Sequence, residues 1–84
     1  MTFTVHWTDA ARDDMANLPA PLLLRIARKV ESTRSNPLRS FQRLVGVDLW
    51  RLRVGDYRVL ASINVREREV VVHKVAHRRS VYER

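Results

Sequence analysis

The stretch Leu49–Tyr82, LWRLRVGDYRVLASINVREREVVVHKVAHRRSVY, decides the fold. Two alternating runs meet at Gly55-Asp56. Gly at the first turn position supplies the backbone angle of a type II′ hairpin. With those two residues in the turn, Val54 faces Tyr57, Leu52 faces Val59 and Trp50 faces Ala61, which completes one apolar face. The other face sets Arg53 beside Arg58 and Arg51 beside Leu60. Like charges directly opposite destabilise a sheet. Arginine stays charged at ordinary pH, and its planar fork fits phosphate. No carboxylate stands in this hairpin face, so the arginines have two readings. They are a solvated face whose stems cover apolar surface, or they contact an anion.

Working outward, Arg66–Glu69 (RERE) is too charged for a strand centre and reads as the second turn. Val70 to Val75 is a third strand, with the alternation stopping at Ala76. His77 to Tyr82 is a short tail with room for one helical turn. Toward the N-terminus, Phe3, Val5 and Trp7 alternate with polar residues and predict a short first strand. Thr8 is a good N-cap, and Asp9 suits the positive end of the helix that follows. Ala11, Met15 and Leu18 mark its apolar side, with Arg12, Asp13 and Asp14 opposite. Pro19 and Pro21 separate it from a second helix over about 21–33. Leu23, Ile26, Ala27 and Val30 face inward there, while Arg25, Arg28, Lys29 and Glu31 face out. Ser35-Asn36-Pro37 ends that helix. The least regular part is 36–47, with Leu38, Phe41 and Leu44 as candidate anchors and Gly46 as a turn.

The order β-α-α-β-β-β predicts a small α/β (α+β) domain spanning 1–84. Two N-terminal helices pack on a mostly antiparallel twisted sheet, the first strand returns beside the last, and one sheet face stays open. A chain of 84 residues buries roughly 60–65% of its extended surface. The absence of cysteine excludes disulfides and thiolate metal sites and suits a reducing, cytoplasmic setting. No window has the roughly 20 apolar residues needed to span a bilayer, and the N-terminus does not read as a signal peptide. The net charge is +7, from 16 basic and 9 acidic residues, and all the basic residues except Lys29 and Lys74 are arginine. That balance favours polyanions or an acidic protein partner.

No helical HExxH spacing, phosphate loop, nucleophile elbow or glycosidase carboxylate pair is present, so neither a metal nor a cofactor is expected. What remains is the set Arg51, Arg53, Arg58, His77, Arg78 and Tyr82. Such a set can cleave RNA without a metal. The 2′-hydroxyl attacks the adjacent phosphate, arginines stabilise the charge that develops there, and a proton goes to the leaving 5′-oxygen. His77 is the member that ordinarily titrates near neutrality. Tyr82 can stack on a base or orient the attacking oxygen. The plainer reading of a terminal Tyr is an anchor for the tail.

GDYRVL and AHRRSVY, with FTVHWTDAARDDMANLP and the helix ending at SNP, resemble the RelE/ParE superfamily of bacterial toxins, specifically the RelE-type messenger-RNA interferases. The resemblance covers nearly the whole chain. It implies a toxin of a type II toxin–antitoxin system that cleaves translated messenger RNA on the ribosome, without metal, leaving a 2′,3′-cyclic phosphate. It implies a cognate antitoxin as partner. By this resemblance Arg58 holds the scissile phosphate, Arg78 stabilises phosphate or leaving group, and Tyr82 stacks or orients the substrate. Arg51 and Arg53 match basic positions of the preceding strand and, with Arg79, contact RNA. His77 serves as acid or base. Leu49 stands where some members place a lysine proposed as general base, and Ala61 where many place a large residue. The ParE branch, whose members poison DNA gyrase without catalysis, shares the fold and the YR strand. Weakly active or inactive members that act through protein binding are a further alternative.

Overall fold

The computed structural model describes residues 2–79. Its elements are β1 (Thr4–Trp7), α1 (Asp9–Ala16), α2 (Ala20–Ser32), α3 (Pro37–Ser40), β2 (Gln42–Arg43), β3 (Trp50–Val54), β4 (Tyr57–Asn64) and β5 (Glu69–His77). The five strands form one sheet in the order β1-β5-β4-β3-β2. Only β1 and β5 run parallel; the other pairs are antiparallel.

The β3–β4 hairpin has the register expected from its alternation: Val54↔Tyr57, Leu52↔Val59 and Trp50↔Ala61. Gly55 takes the positive φ, at +58°, and Asp56 does not, as a type II′ turn requires. Gly55 also has a packing role. A side chain there would meet the Arg25 guanidinium of α2, 3.2 Å from its nearest nitrogen. The second turn covers 65–68, one residue earlier than the charged run Arg66–Glu69 suggested, so that β4 ends at Asn64 and Glu69 already belongs to β5.

Both long helices cover the apolar face. Thr8 caps α1, its Oγ1 accepting from the Ala11 amide at 3.1 Å. Ala11 and Met15 point inward from α1, and Ile26 and Val30 from α2. They close over Leu52, Val54, Val59, Ala61, Val70 and Val72. The end of α2 is tied to the first strand: the Phe3 amide donates to Arg34 O and Arg34 Nε returns a bond to Phe3 O, both 2.8 Å.

Four features depart from the sequence reading. The irregular segment contains the one-turn α3 and the two-residue β2. Both are too short to show a period. Phe41 is buried and Leu44 half-buried, but Leu38 is 41% exposed and anchors nothing.

The alternation of β5 breaks earlier than expected, and the strand runs on to His77. Leu60 pairs with Lys74 while Ala61 pairs with Val72, so His73 is an extra residue, a β-bulge. The core positions accordingly step from Val70 and Val72 to Val75.

Asp14 does not simply face solvent. β1 pairs with β5 only as far as Val72. Beyond it, Asp14 Oδ2 accepts the Val75 amide at 2.9 Å, so a carboxylate on α1 replaces the missing neighbour strand. Asp14→Ala leaves that part-buried amide without its acceptor and should cost about 1–3 kcal/mol. Asp14→Asn keeps an acceptor oxygen and should cost less. Urea unfolding together with hydrogen exchange at the Val75 amide checks both, and unchanged exchange in Asp14→Ala would remove this role.

The fourth departure is Arg58, which is buried despite its place on the face left free by the helices.

Candidate functional site

Two rows of cross-strand neighbours occupy the open face nearest the hairpin turn. One reads Gln42, Arg51, Leu60, Lys74, and the next Arg53, Arg58, Ala76. No carboxylate stands in either row. Arg53 is exposed, Arg51 half-buried and Arg58 only 4% exposed. The Arg58 Nη1 donates to its own hairpin, to Tyr57 O at 3.1 Å and more weakly to Gly55 O at 3.4 Å. Arg51 Nη2 donates to Gln42 Oε1 at 3.0 Å, which sets its side chain along the row. Further along the same face, Ser62 Oγ and His73 Nε2 lie 2.9 Å apart.

His77 stands elsewhere. Its partner is Tyr57, a core-face residue, and the two rings meet edge to face at 81° with centroids 5.4 Å apart. Thus Arg51, Arg53 and Arg58 occupy the open face, and His77 the opposite face at the end of β5. The sequence reading grouped them, but strand alternation separates them. At the strand end both faces share a rim. There Arg78 and Arg79 enter a helical turn, both exposed. The Arg78 amide donates to Asp56 O at 2.7 Å, joining this rim to the hairpin turn. His77 Nδ1 accepts the Arg79 amide at 3.3 Å, so a neutral His77 carries its proton on Nε2. Asp56, His77, Arg78 and Arg79 line a hollow of about 340 Å³. Arg25 approaches the same turn from α2. Tyr82 lies outside the described residues.

Sequence reasoning missed two members of this region. Lys74 joins the basic row through the bulge, and the step from Val72 to Val75 was the only signal for it. Arg25 reaches the turn through helix placement, for which the sequence holds no local signal. Among the described residues no group of His, Cys, Asp or Glu forms a metal site. No helix among them is long and apolar enough to cross a membrane.

A small, mostly antiparallel sheet with helices on one face and arginines on the other is the RelE/ParE-type toxin fold. The family model for the ParE toxin of type II toxin–antitoxin systems, parDE, matches residues 5–82. The chain belongs to this family and is a toxin of the type II toxin–antitoxin class.

The toxin–antitoxin complex RelBE2 from Mycobacterium tuberculosis is similar at 29% identity, with a TM-score of 0.86 over 92% of this chain and 99% of that chain. The RelE–RelB complex from Pyrococcus horikoshii is similar at 25% identity, with a TM-score of 0.76 over 93% of this chain and 97% of that chain. The isolated E. coli RelE toxin shares the fold at 15% identity, with a TM-score of 0.77 over 89% of this chain and 83% of that chain. No curated protein matches the sequence.

The pair Arg53↔Arg58 sets like charges directly opposite each other, an arrangement that disfavours strand pairing. Replacing exposed Arg53 by Gln should stabilise the fold by roughly 0.2–1 kcal/mol at low salt. The gain should shrink as salt screens the repulsion. Denaturant unfolding at two ionic strengths measures it, and a loss of stability would show that Arg53 is held by attraction instead.

Proposed function

We propose that this toxin is a metal-independent endoribonuclease that cleaves translated messenger RNA on the ribosome. The observation that carries the reading is the pair of basic rows centred on Arg58, with no carboxylate in either row, beside the His77–Arg79 rim. Arg58, flanked by Arg51 and Arg53, holds the scissile phosphate. Its fork is turned by the bonds to Gly55 O and Tyr57 O, and the charge developing on the phosphate in the transition state strengthens its hold. The substrate 2′-hydroxyl attacks that phosphate, the bond to the 5′-oxygen breaks, and a 2′,3′-cyclic phosphate remains. Arg78 stabilises the departing side, Arg79 adds a backbone contact, and Tyr82 orients or stacks the substrate. His77 at the rim moves the proton. Because His77 faces away from the arginine rows, the substrate passes the strand end, where both faces meet. The ribosome supplies the orientation that so small a site lacks. This assignment places the toxin in the cytoplasm.

The partner in this reading is a cognate antitoxin. Two of the similar structures are toxin–antitoxin complexes, RelBE2 and RelE–RelB. A chain of net charge +7 suits an acidic or amphipathic segment laid in a groove or along a sheet edge.

One observation favours a second reading. The matching family model is that of ParE, the branch that poisons DNA gyrase without catalysis. In that case the Arg58 face binds protein.

Brief expression, with 5′-ends mapped on translated and untranslated copies of one message and a parallel supercoiling assay, separates the two. The ribonuclease gives cuts confined to translated codons and normal supercoiling. Intact messages with a gyrase defect defeat it. Arg58→Lys, which loses the fork, should reduce cleavage by at least about tenfold, whereas Arg66→Gln in the exposed turn should not. Tyr82→Phe retains activity if the ring stacks and loses it if the hydroxyl takes part.

A further inference from the structure

The bulge at His73 has a consequence for the basic face. Without the extra residue, the register Ala61↔Val72 would continue as Leu60↔His73, and Lys74 would oppose Val59 on the buried face. A one-residue slip exchanges every side chain beyond it between the two faces. The bulge therefore lifts Lys74 out of the core, returns Val75 to it, and sets an exposed Lys74 opposite Leu60. Leu60 is also the partner of Arg51. Lys74 and Arg51 thus stand on the two sides of one half-buried leucine, each diagonal to Arg58.

Diagonal neighbours in an antiparallel sheet are roughly 7–8 Å apart, within reach of long side chains. Arg58 is then ringed by Arg53 directly opposite, Arg51 diagonally on β3 and Lys74 diagonally on β5. Bulges commonly re-aim a side chain beside a functional site.

We propose that Lys74 is a further phosphate-binding residue of this site, positioned by the bulge to hold the RNA backbone next to the phosphate at Arg58. This rests on the ribonuclease reading and extends it across β5. The side chains between the cations are Leu60 and Ala76, and no aromatic ring stands in these rows. Contact there is to the phosphate backbone and is indifferent to base sequence. A strongly hydrated ammonium suits such a point contact, while the forked grip stays with Arg58.

Fluorescence anisotropy with a labelled 12-nucleotide single-stranded RNA tests the proposal, using the full chain, Lys74→Gln, and Arg66→Gln as control. Losing one phosphate contact should lower the slope of log affinity against log salt by about 0.7. At low salt it should weaken binding by roughly 3- to 10-fold, with Arg66→Gln unchanged in slope. Lys74→Gln should also keep the melting temperature, because the Lys74 side chain is exposed. A lysine with a merely structural role would lower it.

An unchanged slope, an equal effect of Arg66→Gln, no RNA binding by the unaltered protein, or destabilisation by Lys74→Gln overturns the assignment. The outcome is separable from the function as a whole. If messages stay uncut in cells while Lys74→Gln lowers the slope, the ribonuclease reading fails and the phosphate contact stands. If messages are cut and the slope is unmoved, the Lys74 assignment alone fails.

Discussion

The turn at Gly55-Asp56 is the constraint on which the other features depend. A positive φ at Gly55 closes the loop after two residues and leaves one register for β3 and β4. That register puts Leu52, Val54, Val59 and Ala61 on one face and Arg51, Arg53 and Arg58 on the other. A slip of one residue would bury guanidinium groups and expose the core, so burial holds the register as firmly as the turn does. Arg58 adds a local tie, because its Nη1 hydrogen-bonds to carbonyls at the turn and at Tyr57. The residue assigned to the scissile phosphate is thus held by the hairpin it belongs to.

The sheet separates two energetic regimes. On the helix side Ile26, Val30, Val59, Val70 and Val72 are fully buried and supply hydrophobic stabilisation. On the open side Arg51, Arg53, Arg58 and Lys74 stand as cross-strand or diagonal neighbours. A domain of this size has a stability margin of only about 5–15 kcal/mol. Such a gathering of cations suits a face that meets an anion. Both readings of the toxin, as nuclease or as gyrase poison, use this face. They differ in whether a phosphate or a protein surface meets Arg58.

What could be read from the sequence follows from how local each signal is. The hairpin register was legible because a period of two and a Gly-led turn lie within twelve residues, Trp50–Ala61. The cap at Thr8 and the inward positions Ile26 and Val30 followed from equally local patterns, and β1 lying beside β5 followed from the order of the elements. Arg51, Arg53 and Arg58 were placed together on the same grounds. The face that His77 takes could not be read, because it depends on the bulge four residues earlier, which arises from two strands meeting. Asp14 looked like a solvated helix residue because its partner, the Val75 amide, is 61 positions away. The burial of Arg58 was hidden for a similar reason, since covering a side chain requires other parts of the chain that its own strand does not reveal.

Asp14 and the bulge belong to one device. A bulge alone leaves the following residues free to slip back into the regular register, because nothing on β1 pairs with them. The carboxylate of Asp14 takes the amide of Val75, the residue immediately after Lys74. A slip would break that bond, return Lys74 to the core and expose Val75. The cost of burying an ammonium and the loss of a charge-assisted hydrogen bond therefore act together. In this way the carboxylate fixes where the neighbouring cation points, and it does so by bonding to the backbone.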